Sequence, residues 1–93
     1  MRSLLWTDQA QADLAAIHGF ISQNSPHYAS VVVAELIAAA ERLRNFPESG
    51  RVVPEFANAS LREVIHQPYR LVSEQEVHIL TIHHSARRFP DAL

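Results

Sequence analysis

The sequence predicts an α+β domain in the order β-α-α-β-β-β, with a helical hairpin packed on an antiparallel sheet. Two observations predict this fold. Apolar residues in the first half recur at the three- and four-residue spacing of amphipathic helices, whereas the second half is rich in β-branched residues that alternate with polar ones. The 93 residues suffice for one hydrophobic core. Residues 1–93 are therefore expected to form a single domain.

The first helix is predicted from a start signal and an apolar stripe. Residues 2–6 are typical of a short strand, and Thr7 then supplies an N-cap hydroxyl, with Asp8 in the first helical turn. The stripe consists of Ala10, Leu14, Ile17 and Ile21. Phe20 is expected to widen it, so that this face of the helix covers the sheet.

The second helix is predicted from Ser25 as N-cap and Pro26 at the first helical position. Its buried face is predicted to contain Ala29, Val32, Leu36, Ala40 and Leu43. Pro47 and Gly50 both disfavour helical geometry, so the helix is expected to end shortly before them. Two consecutive helices with a short connection predict a hairpin.

Three successive strands are predicted over residues 61–66, 69–73 and 77–84, because two- and three-residue connections favour antiparallel hairpins. Residues 51–56 are predicted to be extended, and Pro54 confines them to a sheet edge. The helices would cover one face of the sheet and leave the other at least partly open.

Alternation along the last strand predicts that His83 and His84 point to opposite faces. His84 is expected to share its face with Leu80 and Ile82. Ile79 and Leu80 are adjacent and both apolar, which indicates that the centre of this strand is covered on both faces.

Composition excludes several classes of protein. The net charge is -2 and lysine is absent, which disfavours binding of nucleic acid by phosphate neutralisation. Cysteine is also absent, so disulfides and thiolate chemistry are excluded. No apolar run is long enough to span a bilayer, and acidic residues follow the start too soon for a signal peptide. We expect a cytoplasmic protein with no membrane partner.

The six histidines do not form a recognisable metal motif. The chain has no HExxH sequence, and the adjacent His83 and His84 diverge on a continuing strand. Ser85 lies beside His84 without the glycine-rich elbow of a serine nucleophile. The sequence thus predicts no metal and no cofactor.

The arginines are more informative than the histidines. Arg62 and Arg70 lie inside apolar strands, where a guanidinium must be paired internally or reach the surface. Glu55, Glu63 and the acidic residues of the helices are the candidate internal partners. Residues 87 and 88, both arginine, follow the last strand. They are either solvated or, together with Arg51 and His84, part of a group of cations that attracts anions.

The order and spacing of several motifs resemble the RelE/ParE superfamily of toxins from bacterial type II toxin-antitoxin modules. The motifs are WTDQAQADLAAIHGFI, NFPESGR, LREVI, YRLV and ILTIHHSARRF. The match covers nearly all of the chain, and the ordered series is more specific than any one motif. The resemblance implies a β-α-α-β-β-β toxin that is neutralised by a cognate antitoxin.

The superfamily has two activities, and the resemblance is compatible with either. RelE-like members cleave messenger RNA on the ribosome without metal; in that case the resemblance implies Arg51, Arg62, Arg70, His84 and Arg87 as catalytic residues. ParE-like members inhibit DNA gyrase by protein contact. The absence of lysine, and Ser73 where many relatives carry a second tyrosine, favour the ParE-like activity.

On the ParE-like interpretation, the end of the last strand and the tail form a surface for a target or an antitoxin. We call this surface the predicted rim, and it consists of His84, Arg87, Arg88 and Phe89. The implied partner is a ParD-like antitoxin whose ribbon-helix-helix half binds operator DNA, so the toxin reaches DNA only through it. A third possibility is an inactive module that binds an antitoxin and nothing else.

Overall fold

A computed structural model describes residues 4–46, 49–56, 58–74 and 78–85 of the chain. The elements in chain order are β1 (Leu5–Trp6), α1 (Asp8–Ser22), α2 (Pro26–Asn45), β2 (Arg51–Val52), β3 (Leu61–His66), β4 (Tyr69–Glu74) and β5 (His78–His84). The two helices pack on one face of a five-stranded sheet with the strand order β1-β5-β4-β3-β2. The predicted α+β class is confirmed.

The sheet is mixed and not wholly antiparallel as predicted, because β1 runs parallel to β5. Leu5 lies opposite His78, and Trp6 opposite Ile79. The three pairs from β2 to β5 are antiparallel. A parallel pair requires a long crossover connection, and here everything from α1 to β4 forms that connection. The pairing of the first strand with the last is therefore a long-range contact.

Both helices begin at the predicted caps. The Thr7 hydroxyl accepts a hydrogen bond from the backbone N–H of Ala10 (3.1 Å) and donates one to the carbonyl oxygen of Leu80 (2.7 Å), so it joins α1 to β5. The Ser25 hydroxyl accepts from the N–H of Tyr28, and Pro26 occupies the first turn of α2. These caps satisfy N–H groups that have no partner within the helix.

The main core lies between the helices and the sheet. The predicted buried face of α2 is confirmed, and Leu36, Ala40 and Leu43 are fully buried. The predicted stripe of α1 also faces this core. Phe20 does not, because 69% of it is exposed. Each residue advances by about 100° around a helix, so Phe20 lies on the flank of α1, to one side of Ile21.

A register shift between β4 and β5 corrects the predicted alternation of β5. Val72 pairs with Thr81 and Ser73 with Ile79, so Leu80 is the extra residue of a β-bulge. As a result, Ile79 and Ile82 both pack on the helix side, whereas Leu80 packs on the other face. Leu80 and Ile82 therefore do not share a face, although the predicted apolar cover on both sides of β5 is confirmed.

The sheet face away from the helices is partly covered. Val53, Leu61 and Val72 are buried there, with Phe56 and Leu80 packed against them. The predicted extended segment 51–56 is a strand only at Arg51–Val52, because a turn follows in which the N–H of Phe56 donates to the carbonyl oxygen of Val53 (3.2 Å). This turn forms a cover over one region, and β2 is an edge strand as Pro54 predicted. Neither helix is long and apolar enough to cross a lipid bilayer, within the ranges that the structure describes.

Candidate functional site

Four charged side chains form a cluster on the sheet face away from the helices. We call this group the arginine-carboxylate cluster: Arg51 from β2, Glu63 from β3, Arg70 from β4, and Glu55 from the segment after β2. Arg51 pairs across the sheet with Glu63, and Arg70 lies opposite Ile65. Strand alternation therefore places Glu63 and Arg70 on the same face.

Glu63 is the centre of this cluster. It is 1% exposed, and its two carboxylate oxygens accept hydrogen bonds from separate arginines. The Nε of Arg70 donates to Oε1 over 2.7 Å, and the Nε of Arg51 donates to Oε2. A buried carboxylate without partners would be strongly destabilising, so these two bonds account for the tolerance of Glu63 in the sheet.

Arg70 also donates hydrogen bonds from its terminal nitrogens to Glu55. Its two terminal nitrogens donate to the two carboxylate oxygens of Glu55, over 2.8 and 2.6 Å. This is the bidentate geometry in which arginine and carboxylate interact most strongly. Arg70 is thus bound by one carboxylate inside the protein and by a second one at the surface.

The hydrogen bonds between Glu55 and Arg70 shift both titrations. Those from Arg70 lower the pKa of Glu55 to about 2. The same bonds, followed by those to Glu63, raise the pKa of Arg70, so its guanidinium remains charged. The arginine-carboxylate cluster contains two positive and two negative groups, and its formal charges cancel.

The lowered pKa of Glu55 predicts an acid-dependent loss of stability. A depressed pKa stabilises the fold above about pH 4.5, and this contribution disappears as the pH falls toward about 2. Glu55→Gln is expected to lower the free energy of unfolding by no more than about 1 kcal/mol at pH 7, since solvent screens a side chain that is 40% exposed. Urea unfolding between pH 5 and 3 is expected to show a smaller pH slope for this variant.

Glu41→Gln is the matched control for that experiment. Glu41 is 41% exposed and pairs with Arg44 within one turn of α2. Such a helical pair contributes only about 0.3–0.5 kcal/mol. If Glu55→Gln left the acid-side slope unchanged from that of the wild type, the assigned cause of the slope would be wrong.

Arg62 is next to Glu63 in the chain but has different hydrogen-bond partners. Its Nε donates to the carbonyl oxygen of Ala59 (3.0 Å), and one terminal nitrogen donates to that of Gly50 (3.2 Å). Arg62 alternates with Glu63 and so leaves β3 toward the opposite side. Its guanidinium joins two connecting segments to the start of β3.

His84 lies on the helix side of the sheet, in a cleft beside α1. It pairs with Tyr69 across the sheet, and the two rings meet edge to face with centroids 5.5 Å apart. The cleft has a volume of about 510 Å³. We call it the Asp13 cleft; its lining residues are Asp13, Ala16, Ile17, Phe20, Tyr69, Ile82 and His84.

The structure does not bring the predicted catalytic residues together. Arg51 and Arg70 lie on one face of the sheet, whereas His84 lies on the other with Tyr69 and the helices. His83 is the histidine on the arginine face, since it pairs across the sheet with Arg70. The predicted divergence of the two histidines is thus confirmed. Residues 87, 88 and 89 belong to the predicted rim, and residue 87 is also one of the predicted catalytic residues. All three lie outside the described residues.

The sequence interpretation missed Asp13 and the site role of Phe20. Asp13 Oδ2 accepts from the Thr81 hydroxyl and from the N–H of Ile82 (3.0 Å), so it anchors α1 beside the bulge of β5. Asp13, Ala16 and Phe20 are spaced i, i+3 and i+7, which places them along one flank of α1. This spacing in the sequence indicates that the three residues share one flank of the helix.

A second, open groove lies on the opposite flank of α1. It has a volume of about 620 Å³ and runs between both helices and the edge strand β1. Its lining residues are Leu4, Leu5, Trp6, Gln11, Leu14, Ala15, His18, Val33 and Ile37. Leu5 is 55% exposed and Ile37 40% exposed. We call it the β1 groove, and exposed apolar surface of this kind is typical of partner-binding sites.

Comparison with known proteins places these features in a family. Residues 4–89 match the family described as ParE toxin of type II toxin-antitoxin system, parDE. The chain is 42% identical to Toxin RelE2 of Caulobacter vibrioides, over 94% of this chain and 99% of that protein. It is 31% identical to the Putative toxin Y4kP of Sinorhizobium fredii, over 99% and 97% of the two proteins.

A solved structure shares the fold. A chain described as the chromosomal ParDE TA system from P. aeruginosa superposes with a TM-score of 0.71 at 24% identity, over 90% of this chain and 96% of that one. The two sequence relatives and the family match extend over the strands that carry the arginine-carboxylate cluster and over the α1 flanks described above. The chain therefore belongs to the ParE toxin family of type II toxin-antitoxin systems.

Proposed function

We propose that this toxin acts as ParE-like toxins do, by protein contact with DNA gyrase, and that it does not cleave RNA. Its partner in the proposal is a ParD-like antitoxin with a ribbon-helix-helix half that binds operator DNA. The toxin then reaches DNA only through the antitoxin, and both operate in the cytoplasm. The occupation of Arg70 by two carboxylates is the observation that carries the proposal.

RNA cleavage needs cationic groups that face the charge developing on the scissile phosphate. In the described residues, the Nε and both terminal nitrogens of Arg70 already donate to Glu63 or Glu55. Arg51 donates through its Nε to the same Glu63. A phosphate would have to compete with carboxylates built into the fold, and their negative charge would repel it. This arrangement favours a structural role for the arginine-carboxylate cluster.

The position of His84 supports the same conclusion. A general acid or base acts within hydrogen-bond reach of the proton that it transfers. His84 contacts Tyr69 on the helix side of the sheet, whereas Arg51 and Arg70 project from the opposite side. A phosphate held by those arginines would lie across the sheet from His84. We assign His84 to the antitoxin-facing surface, together with residues 87–89 of the predicted rim.

The β1 groove is the proposed binding site of the antitoxin. Its walls are mainly aliphatic, and it lies between two helices, as in complexes where an amphipathic helix fills a hydrophobic groove. Leu5 and Ile37 are the exposed apolar side chains that such a helix would cover. Their burial under that helix would remove apolar surface from water and so favour binding.

The proposal is tested with the purified chain in two assays. DNA supercoiling by purified gyrase is expected to fall as the toxin concentration rises, in the absence of ribosomes. Messages on translating ribosomes are expected to stay intact at the same concentrations. Cleavage of those messages with intact supercoiling would overturn the proposal in favour of the RelE-like activity. If expression of the chain caused no growth arrest and neither assay responded, the chain would be an antitoxin-binding module alone.

His84→Ala separates the two activities within one chain. Loss of a general acid or base is expected to reduce RNA cleavage by about 10²–10⁴-fold. Under the proposed function, the toxin concentration for half-inhibition of supercoiling is expected to change by less than about tenfold, because His84 then transfers no proton. His27→Ala is the control, since His27 is an exposed residue in the first turn of α2. A hundredfold increase in the amount of toxin needed to arrest growth, found for His84→Ala but not for His27→Ala, would contradict the proposal.

A further inference from the structure

The Asp13 cleft combines a carboxylate, aromatic rings and aliphatic side chains in one partly enclosed space. Its volume of about 510 Å³ is within the range of protein sites that enclose small ligands or side chains. Ala16, Ile17 and Ile82 are its aliphatic lining residues, and Phe20 is one of its aromatic lining residues. The cleft lies on the flank of α1 opposite to the β1 groove. A partner that fills the groove would need to cross α1 to reach it.

The carboxylate of Asp13 is held in place by the sheet. Its Oδ2 accepts from Thr81 and from the N–H of Ile82, whereas among the described residues its Oδ1 accepts only from the exposed side chain of Gln9 (2.7 Å). A carboxylate can accept about four hydrogen bonds, so capacity is left at Oδ1. Within the described part of the chain, Asp13 forms no ion pair with an arginine or histidine. No described arginine or histidine therefore balances the charge of Asp13 through an ion pair.

The aromatic residues supply a second requirement for binding a cation. Phe20 is 69% exposed although it is a large apolar side chain. Tyr69 and His84 are fixed edge to face at 5.5 Å, with Tyr69 buried against the core. Ring faces attract cations placed within about 6 Å of the ring centre. Rings and a carboxylate in the same cleft favour a group that is both flat and positively charged.

We propose that the Asp13 cleft receives an arginine side chain of the antitoxin. A guanidinium is planar, so it stacks on the rings, and its forked N–H groups match the free lone pairs of Asp13. A leucine side chain would leave the charge of Asp13 unmatched, and an ammonium group would stack less well. The proposal rests on the antitoxin partnership of the proposed function and names the chemistry of one anchor residue.

The cleft is tested by NMR on the full chain, titrated with Nα-acetyl-arginine amide. The methyl signals of Ala16, Ile17 and Ile82 are expected to shift and saturate. Nα-acetyl-citrulline amide, which has the same shape without the charge, is expected to bind at least about tenfold more weakly, because hydrogen bonds between two charged groups are stronger than those with a neutral donor. Equal binding of both compounds, or tighter binding of Nα-acetyl-leucine amide, would overturn the proposal.

Two variants of the cleft extend the test. Asp13→Asn keeps an oxygen for the N–H of Ile82 and removes the charge, and Phe20→Ala removes a ring that is 69% exposed. Each is expected to weaken arginine amide binding at least about fivefold. Phe46→Ala is the control because Phe46 is 66% exposed and lies outside the cleft.

The outcomes separate this inference from the proposed function. Binding of the arginine probe with no effect on gyrase leaves the cleft valid and rejects the gyrase target. Inhibition of gyrase without selective binding of the arginine probe rejects the cleft and leaves the target. Unchanged binding in both Asp13→Asn and Phe20→Ala, with spectra showing a native fold, would also reject it.

Discussion

Glu63→Gln is expected to lower the free energy of unfolding by about 3 kcal/mol, which is the lower end of the range for removing one member of a buried ion pair. Glu63 is 1% exposed and accepts from both Arg51 and Arg70. The amide of glutamine retains one acceptor oxygen and places an NH₂ group against a guanidinium. Arg70, whose side chain is only 11% exposed, then has an uncompensated charge on its inner side.

Urea unfolding at pH 7 measures this effect, and Glu55→Gln is the comparison within the same cluster. Both changes remove one negative charge beside Arg70, but Glu55 is 40% exposed and Glu63 is buried. The combined variant Glu63→Leu with Arg70→Leu is expected to be more stable than Glu63→Gln, because no buried charge is left without its partner. A loss below about 1 kcal/mol for Glu63→Gln would show that the arginine-carboxylate cluster does not stabilise the fold.

Gly50→Ala is expected to lower the free energy of unfolding by about 2 kcal/mol, as overpacking of a tight contact does. A Cβ at this position would lie 2.8 Å from the backbone oxygen of Glu63 and 3.4 Å from the Cβ of Arg62. The oxygen belongs to β3, so relief of the clash requires the chain before β2 to move. The carbonyl of Gly50 would move with it and weaken its hydrogen bond from Arg62.

Gly19→Ala is the control, and the expected sign is opposite. Gly19 lies inside α1, and a Cβ there would meet nothing within 4 Å. Alanine in a helix interior is favoured over glycine by about 0.5–1 kcal/mol. Thermal and urea unfolding of the two variants compare the only two glycines of the chain. A stabilised Gly50→Ala variant would mean that the contact with β3 relaxes without cost.

Local patterns were sufficient to predict the helices and most of the strands. Caps such as Thr7 and Ser25 act within three residues of chain, so their sequence signals predict their structural role directly. The buried face of α2 follows from helical periodicity in the same way. Family membership could also be predicted, because it depends on the order of motifs along the chain.

The candidate site was only partly predictable. The sequence offers Glu55, Glu63 and the acidic residues of the helices as partners of the strand arginines, but it leaves open whether those arginines pair internally or bind an anion. That choice depends on which residues meet across β2, β3 and β4. The structure pairs Arg51 and Arg70 with those carboxylates, and so these cations are used within the fold.

By itself, the sequence determined the type and order of the elements and their caps, because those properties depend on residues close together in the chain. It also determined the family, because membership depends on the order of motifs along the chain. Only the tertiary structure decided the parallel pairing of β1 with β5, the bulge at Leu80 and the opposite faces occupied by His84 and Arg70. It also brought Asp13 of α1 against Ile82 of β5, 69 residues away. Such contacts depend on how complete elements pack, and each local stretch is compatible with several packings.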